Sequence, residues 1–102
     1  MTVDLEAVRR TLGTPGVADL ATWARIRRSL LELVGESTFA IWLEGIDVIA
    51  IDADAALVLD IPQATRGWVT TRFGRAIEGC AKQTGRAVRF ANDVQAAAVG
   101  AR

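Results

Sequence analysis

Ser37-Thr38-Phe39-Ala40-Ile41-Trp42-Leu43-Glu44-Gly45 reads as a two-turn helix with its stop signal attached. Phe39, Trp42 and Leu43 stand at i, i+3 and i+4, so they share one face. Ser37 or Thr38 can cap its start, and Gly45 can take the left-handed conformation that ends it. A helix this short is not stable alone. Neighbours must clamp it, and two large aromatic side chains mark where, which makes Phe39 and Trp42 expected core.

Outward from this segment, the chain resolves into a short series of elements. Upstream, Asp19 is a candidate cap for a helix over 20–34, with Trp23, Ile26, Leu30, Leu33 and Val34 as its apolar face and Gly35 as its stop. Arg25, Arg27 and Arg28 fall elsewhere on it, near solvent. Downstream, 46–51 reads as a strand, Asp52-Ala53-Asp54-Ala55 as a turn and 56–61 as the returning strand of a hairpin. Alternation puts Leu57, Leu59 and Ile61 on one face and Val58 and Asp60 on the other. Pro62 closes the strand because it donates no ladder hydrogen bond.

The third helix is expected over 65–83, with Val69, Phe73, Ala76, Ile77 and Cys80 as its buried stripe and Trp68 at the stripe's edge, also in the core. Gly67, Gly74 and Gly79 weaken it, each by up to about 1 kcal/mol relative to alanine, and are read as letting it lie close to the sheet. Gly85 stops it, and 87–90 is a last short strand. The order is therefore α-α-β-β-α-β, an α/β (α+β) domain with helices over one face of a three-stranded sheet. A strand that returns through a helix runs parallel to its predecessor, with a right-handed crossover if the two are adjacent. Residues 1–19 are expected to be a leader with one weak amphipathic helix (Leu5, Val8, Leu12), broken by Gly13-Thr14-Pro15-Gly16. The domain spans 20–91, and 92–102 is a small-residue tail expected to be mobile.

At 102 residues and 51% hydrophobic content, the chain supports one domain with one modest core. Charges interrupt every apolar run before it reaches membrane-spanning length, and the start of the chain lacks the order of a signal peptide. A single cysteine, Cys80, forms no internal disulfide, which fits a reducing, cytoplasmic setting. Without histidine, Cys80 has no obvious base, and it reads as inert packing rather than as a nucleophile. Asp52 and Asp54 read as solvated turn residues rather than acid/base groups or metal ligands. Neither an enzyme nor a cofactor is expected. No Gly-x-x-x-x-Gly-Lys-Ser/Thr loop occurs in the sequence, so ATP binding is not expected.

The formal net charge is zero but is polarised along the chain. Residues 1–63 carry five arginines against ten carboxylates, a formal −5, and residues 64–90 carry six cations against Glu78, a formal +5. The bland reading is charge that solvates surfaces. The sharper one is a basic stripe of Arg66, Arg72, Arg75, Arg86 and Arg89 that tracks a phosphate backbone weakly and in a salt-dependent way. Few aromatics fall outside the expected core, so base-specific reading is not expected.

Four segments in register carry a resemblance: Trp23 opening the first helix, Thr38-Phe39-x-x-Trp42-Leu43, Leu57-Val58-Leu59-x-Ile61-Pro62, and Trp68-Val69-x-x-x-Phe73-x-x-x-Ile77. Over about residues 20–91 the chain resembles the N-terminal domain (domain I) of DnaA, the bacterial chromosome replication initiator. The resemblance implies a KH-like domain without catalysis that self-associates weakly, contacts the replicative helicase, accepts small regulatory proteins and, in some members, touches single-stranded DNA. It places Trp23 at the family's self-association tryptophan, with Arg27 on the same surface a turn later. Packing under the hairpin is the alternative for Trp23. Thr38 falls where some members carry an acidic helicase contact. After Pro62, this chain has Gln63-Ala64-Thr65-Arg66-Gly67-Trp68, one residue shorter than the family pattern and without its bulky apolar residue. The resemblance thus implies a retained fold with altered contacts, in either an excised domain or an orphan regulator.

Overall fold

The computed structural model describes residues 12–91. The expected leader helix at Leu5 and Val8 and the tail at 92–102 lie outside the described residues. The elements are α1 (Val17–Val34), α2 (Glu36–Thr38), continued without a break by a π-helical turn (Phe39–Leu43), β1 (Asp47–Ile51), β2 (Leu57–Asp60), α3 (Arg66–Gln83) and β3 (Val88–Phe90). The α-α-β-β-α-β order is the expected one. The sheet order is β1-β2-β3, with β1 antiparallel and β3 parallel to the central β2.

The main core lies between the helices and one face of the sheet. Trp23, Ile26 and Leu30 of α1, Phe39 and Leu43 of the π turn, Leu57, Leu59 and Ile61, and Val69, Phe73, Ile77 and Cys80 of α3 form a single cluster. Val58 faces the other way, into a smaller cluster with Ile49, Ala50 and Ala91, on which Leu12 packs. The alternation read along 57–61 therefore holds. In β1 it does not, because the register slips: Val48 pairs with Leu59, and the next paired residue, Ala50, with Val58. Ile49 is the extra residue of a β-bulge, and a bulge puts two successive side chains on one side. Ile49 and Ala50 accordingly share the second cluster, while Val48 and Ile51 pack on the first.

Helix α1 begins at Val17, three residues earlier than the sequence predicts, and Gly16, not Asp19, is its N-cap. Asp19 acts from inside the first turn, where its Oδ2 accepts the Gly16 N–H at 2.8 Å. That carboxylate satisfies a backbone donor at the helix end and opposes the positive end of the helix dipole. Residues just before the helix, within the expected leader, already join the sheet: Gly13 and Ile51 exchange two backbone hydrogen bonds of 2.9 Å.

Gly35 ends α1 as expected, at φ +89°, a conformation that favours glycine. Its position leaves Ser37 and Thr38 inside the second helix rather than at its cap, and neither makes a side-chain cap hydrogen bond. The Glu44 N–H reaches back five residues to the Phe39 carbonyl at 2.9 Å, which defines the wide turn.

Two glycine expectations are corrected. Gly45 is not left-handed; only Gly35 and Gly85 have positive φ among the described glycines. Its constraint is space, because a Cβ there would stand 2.9 Å from Pro62 Cγ. Conversely, a Cβ at Gly67, Gly74 or Gly79 would meet nothing within 4 Å, so close approach to the sheet does not require them. Gly79→Ala is therefore expected to raise unfolding free energy by up to about 1 kcal/mol, by adding helix propensity without a clash. Gly45→Ala is expected to lower it, despite ordinary backbone angles. Urea denaturation of both variants checks the pair of signs.

Candidate protein-interaction surface

The three tryptophans have three environments. Trp23 is 6% exposed and lies in the main core. Its indole N–H is buried and finds no hydrogen-bond partner among the described residues. Trp23 is thus packed in the main core and offers no exposed anchor. Trp42 is half-buried at the core's edge rather than wholly inside. Trp68, expected in the core, is 51% exposed. Its position accounts for this: on α3 it lies on the side opposite the Val69–Phe73–Ile77–Cys80 stripe, which takes the core.

Trp42 and Trp68 touch across the junction of the π turn and α3, with ring centroids 5.6 Å apart and planes tilted by 39°. Tilted pairs of this kind contribute about 0.5–1.5 kcal/mol beyond area burial. The Arg72 guanidinium sits 5.5 Å from the Trp68 ring centroid, one helical turn on. Ile41, on the π turn, is 66% exposed. The result is an aromatic seam at the surface, held by the molecule's own contacts and flanked by an exposed aliphatic side chain.

Arg27 is partly buried, with its guanidinium 5.5 Å from the Phe39 ring centroid, and Thr38 is partly buried beside Phe39 in sequence. The Arg27–Phe39 contact joins α1 to the second helix, so these two candidates sit at one helix junction, with Trp23 in the core nearby on α1.

Three of the five arginines of the expected basic stripe are engaged within the fold. Arg86 donates to the Ala55 carbonyl from Nε (3.0 Å) and Nη2 (2.7 Å), and Nη2 also pairs with Asp19 Oδ1 at 2.9 Å. Arg89 Nε pairs with Asp52 Oδ2 at 2.8 Å, with Asp54 farther off at 3.7 Å. Arg66 donates to the Ile61 carbonyl at 3.0 Å and lies 3.7 Å from Asp60. These three hold the fold together: Arg86 and Arg89 tie β3 and the segment before it to the hairpin tip, and Arg86 adds the start of α1. Arg72 and Arg75 remain on the exposed side of α3.

The hairpin tip explains why its acids need those cations. Asp52 is not simply solvated; its side chain is only 9% exposed. Its Oδ1 accepts the N–H groups of Asp54 and Ala56, each at 2.9 Å, while Ala55 takes a left-handed φ of 64°. The carboxylate thereby shapes the turn. Sequence reasoning missed this charge pairing because it links residues more than thirty positions apart. The opposite charges of the two halves of the chain were its visible trace.

Among the described residues, no cluster of three or more His, Cys, Asp or Glu could hold a metal ion, and no helix is long and apolar enough to cross a membrane. Burial pushes the Cys80 thiol up, as in a packing cysteine.

What emerges is a small α+β domain whose polar side chains mainly shape its own turns and helix ends, with an aromatic seam left at the surface. The family model of the DnaA N-terminal domain matches residues 21–83, and the chain belongs to that family. A curated relative, the chromosomal replication initiator protein DnaA of Jannaschia sp. (strain CCS1), is 38% identical over 56 residues, which is 55% of this chain and 12% of the relative. The chain thus aligns with a small part of that initiator. No solved structure matches it at a significant level.

The Arg86–Asp19 contact has a pH signature. The Asp19 carboxyl is held below the ordinary carboxylate range, first by the Gly16 N–H and then by the Arg86 hydrogen bond. Its stabilising effect is complete above the unfolded-state pKa of about 3.9 and is lost as pH falls through the lowered folded-state value. Asp19→Asn is expected to flatten that acid limb of stability against pH. Arg86→Ala is expected to cost about 1–2 kcal/mol near neutral pH, from the charged donor it removes. Denaturant midpoints across the acid range measure both.

Proposed function

We propose that the chain is a non-enzymatic protein-interaction domain acting in bacterial DNA replication initiation or its control, as part of a longer initiator or as an orphan regulator. Membership of the DnaA N-terminal domain family over residues 21–83 carries this reading. The exposed Trp42–Trp68 seam supports it, because a half-exposed tryptophan in a fixed setting is a favoured anchor for a protein partner. The partners are the replicative helicase or an initiator-regulating protein, together with a second copy of the domain in a weak homodimer. Thr38 and Arg27, at the α1–α2 junction, mark the side of the fold on which the family resemblance puts helicase and self-association contacts. The setting is cytoplasmic and no cofactor takes part.

A second reading is a weak single-stranded DNA contact of the KH-like kind. One observation favours it: Arg72 and Arg75 lie exposed on the helix that carries Trp68. Arg66, Arg86 and Arg89, engaged within the fold, leave this reading a narrower basis than five free cations would.

The first reading predicts that the immobilised chain retains purified replicative helicase or full-length initiator, and that Trp68→Ala weakens retention at least severalfold without unfolding the domain. Retention of neither protein contradicts it. Labelled single-stranded DNA titrated at low and high salt tests the second reading. Binding at low salt that Arg75→Ala weakens supports it, and no binding at low salt removes it.

A further inference from the structure

The sheet has a second face, away from the core that α1, the π turn and α3 share. On it, Ala50 and Val58 are 0% exposed, Ala91 2% and Ile49 4%. Among the described residues, Leu12 is the hydrophobic side chain packed on this group. Arg89 stands beside Val58 in register and reaches across to Asp52, which bounds the face at its hairpin-tip end. Burial this complete, on a face without a described helix, requires a cover. One leucine and the stem of one arginine are too little to supply it.

The chain that arrives at Leu12 has the pattern for that cover. Leu5, Val8 and Leu12 stand at i, i+3 and i+7, on one helical face. Asp4 and Glu6 precede Arg9 and Arg10, the charge order that a helix dipole favours. The last member of the stripe, Leu12, is already on the cluster, and the two Gly13–Ile51 hydrogen bonds fix the point of entry at the outer edge of β1. The length also fits. From Leu5 to Leu12 a helix advances about 10 Å, and from β1 to β3 two strand spacings come to about 9.5 Å. Val8 then falls over β2 and Leu5 over β3.

We propose that residues 4–11 dock as a short amphipathic helix across this second face, with Leu5 and Val8 completing the cluster of Ile49, Ala50, Val58 and Ala91. The occupant of the face is the chain's own amino-terminal segment. The other end of the chain is a poorer cover: it offers alanines and two valines, Val94 and Val99, which are five positions apart and do not share a helical face. A helix this short does not hold alone, so docking is what forms it. The same segment then closes both the outer edge of β1 and the second face of the sheet. Partners are left the helical side of the fold, where the Trp42–Trp68 seam lies, and the second face opens only when this strap lifts.

Methyl-labelled NMR of the full 102-residue chain tests this directly. The expected result is nuclear Overhauser contacts from the Leu5 and Val8 methyl groups to those of Ile49 and Val58. Urea denaturation supplies a second measurement. Leu5→Glu combined with Val8→Glu is expected to lower the folding equilibrium constant by about tenfold or more, from the apolar burial it removes. Ala7→Glu, on the opposite side of the stripe, is expected to leave it unchanged. Should the double variant fail to fold, the contacts in the wild-type chain still decide. Absence of any contact from Leu5 or Val8 to this face overturns the proposal, and so does a double variant as stable as the wild type. Contacts from Val94 or Val99 in their place overturn it and assign the face to the other end of the chain. Contacts seen only between differently labelled chains overturn it and assign the face to a second copy. None of these outcomes bears on capture of helicase or initiator, which tests the function proposed above.

Discussion

Strand β2 has no side for water. Leu57 and Leu59 enter the main core, Val58 enters the smaller cluster behind the sheet, and all three are fully buried. Both of its edges are paired, one antiparallel and one parallel. A strand buried on both faces must find all its backbone partners within the fold, and that fixes the positions of β1 and β3. The parallel neighbour needs a crossover, which α3 supplies, and α3 in turn takes the face of the sheet that α1 and the π turn share. The exposed seam follows from this arrangement: α3 gives one stripe to the core, so Trp68 is left on its outer side, where the half-buried Trp42 meets it.

The second constraint is electrostatic. The β1–β2 turn is built around an acid, Asp52, whose carboxylate is bound by two backbone N–H groups and one guanidinium. Arg86 bonds the carbonyl of the left-handed Ala55 in the same turn and reaches the first turn of α1 through Asp19. Cations from the basic part of the sequence thus close the acidic part onto the sheet. Part of the charge polarity along the sequence is thus taken up by ion pairs within the fold.

Much of the architecture was legible because its signals are local. The alternation of Leu57, Val58 and Leu59, the stop at Gly35 and the apolar stripe of α3 each follow from neighbouring residues, and together they give the element order. The sites that escaped the sequence depend on what is distant or on backbone register. Val48-Ile49-Ala50-Ile51 has no polar residue to reveal a bulge. A π turn and an α turn place Phe39 and Leu43 on the core almost equally well. The demand at Gly45 comes from Pro62, far along the chain. Trp68 differs for another reason: angular position, not aromatic size, decides which side of a helix is buried, and Trp68 falls away from the core stripe. Of the candidate residues that the family resemblance and the charge pattern offered, Trp23 lies inside, and three of the five arginines are bound within the fold.

Which tryptophan faces the outside is therefore the decisive feature of the fold. Variants that keep one indole each, Trp23 alone (Trp42→Phe with Trp68→Phe) or Trp68 alone (Trp23→Phe with Trp42→Phe), can be read by acrylamide quenching of their fluorescence. Quenching severalfold stronger for Trp68 than for Trp23 in the folded protein, with the difference abolished in urea, is the predicted result. A Trp23 quenched as readily as Trp68 while the domain remains folded would contradict the account.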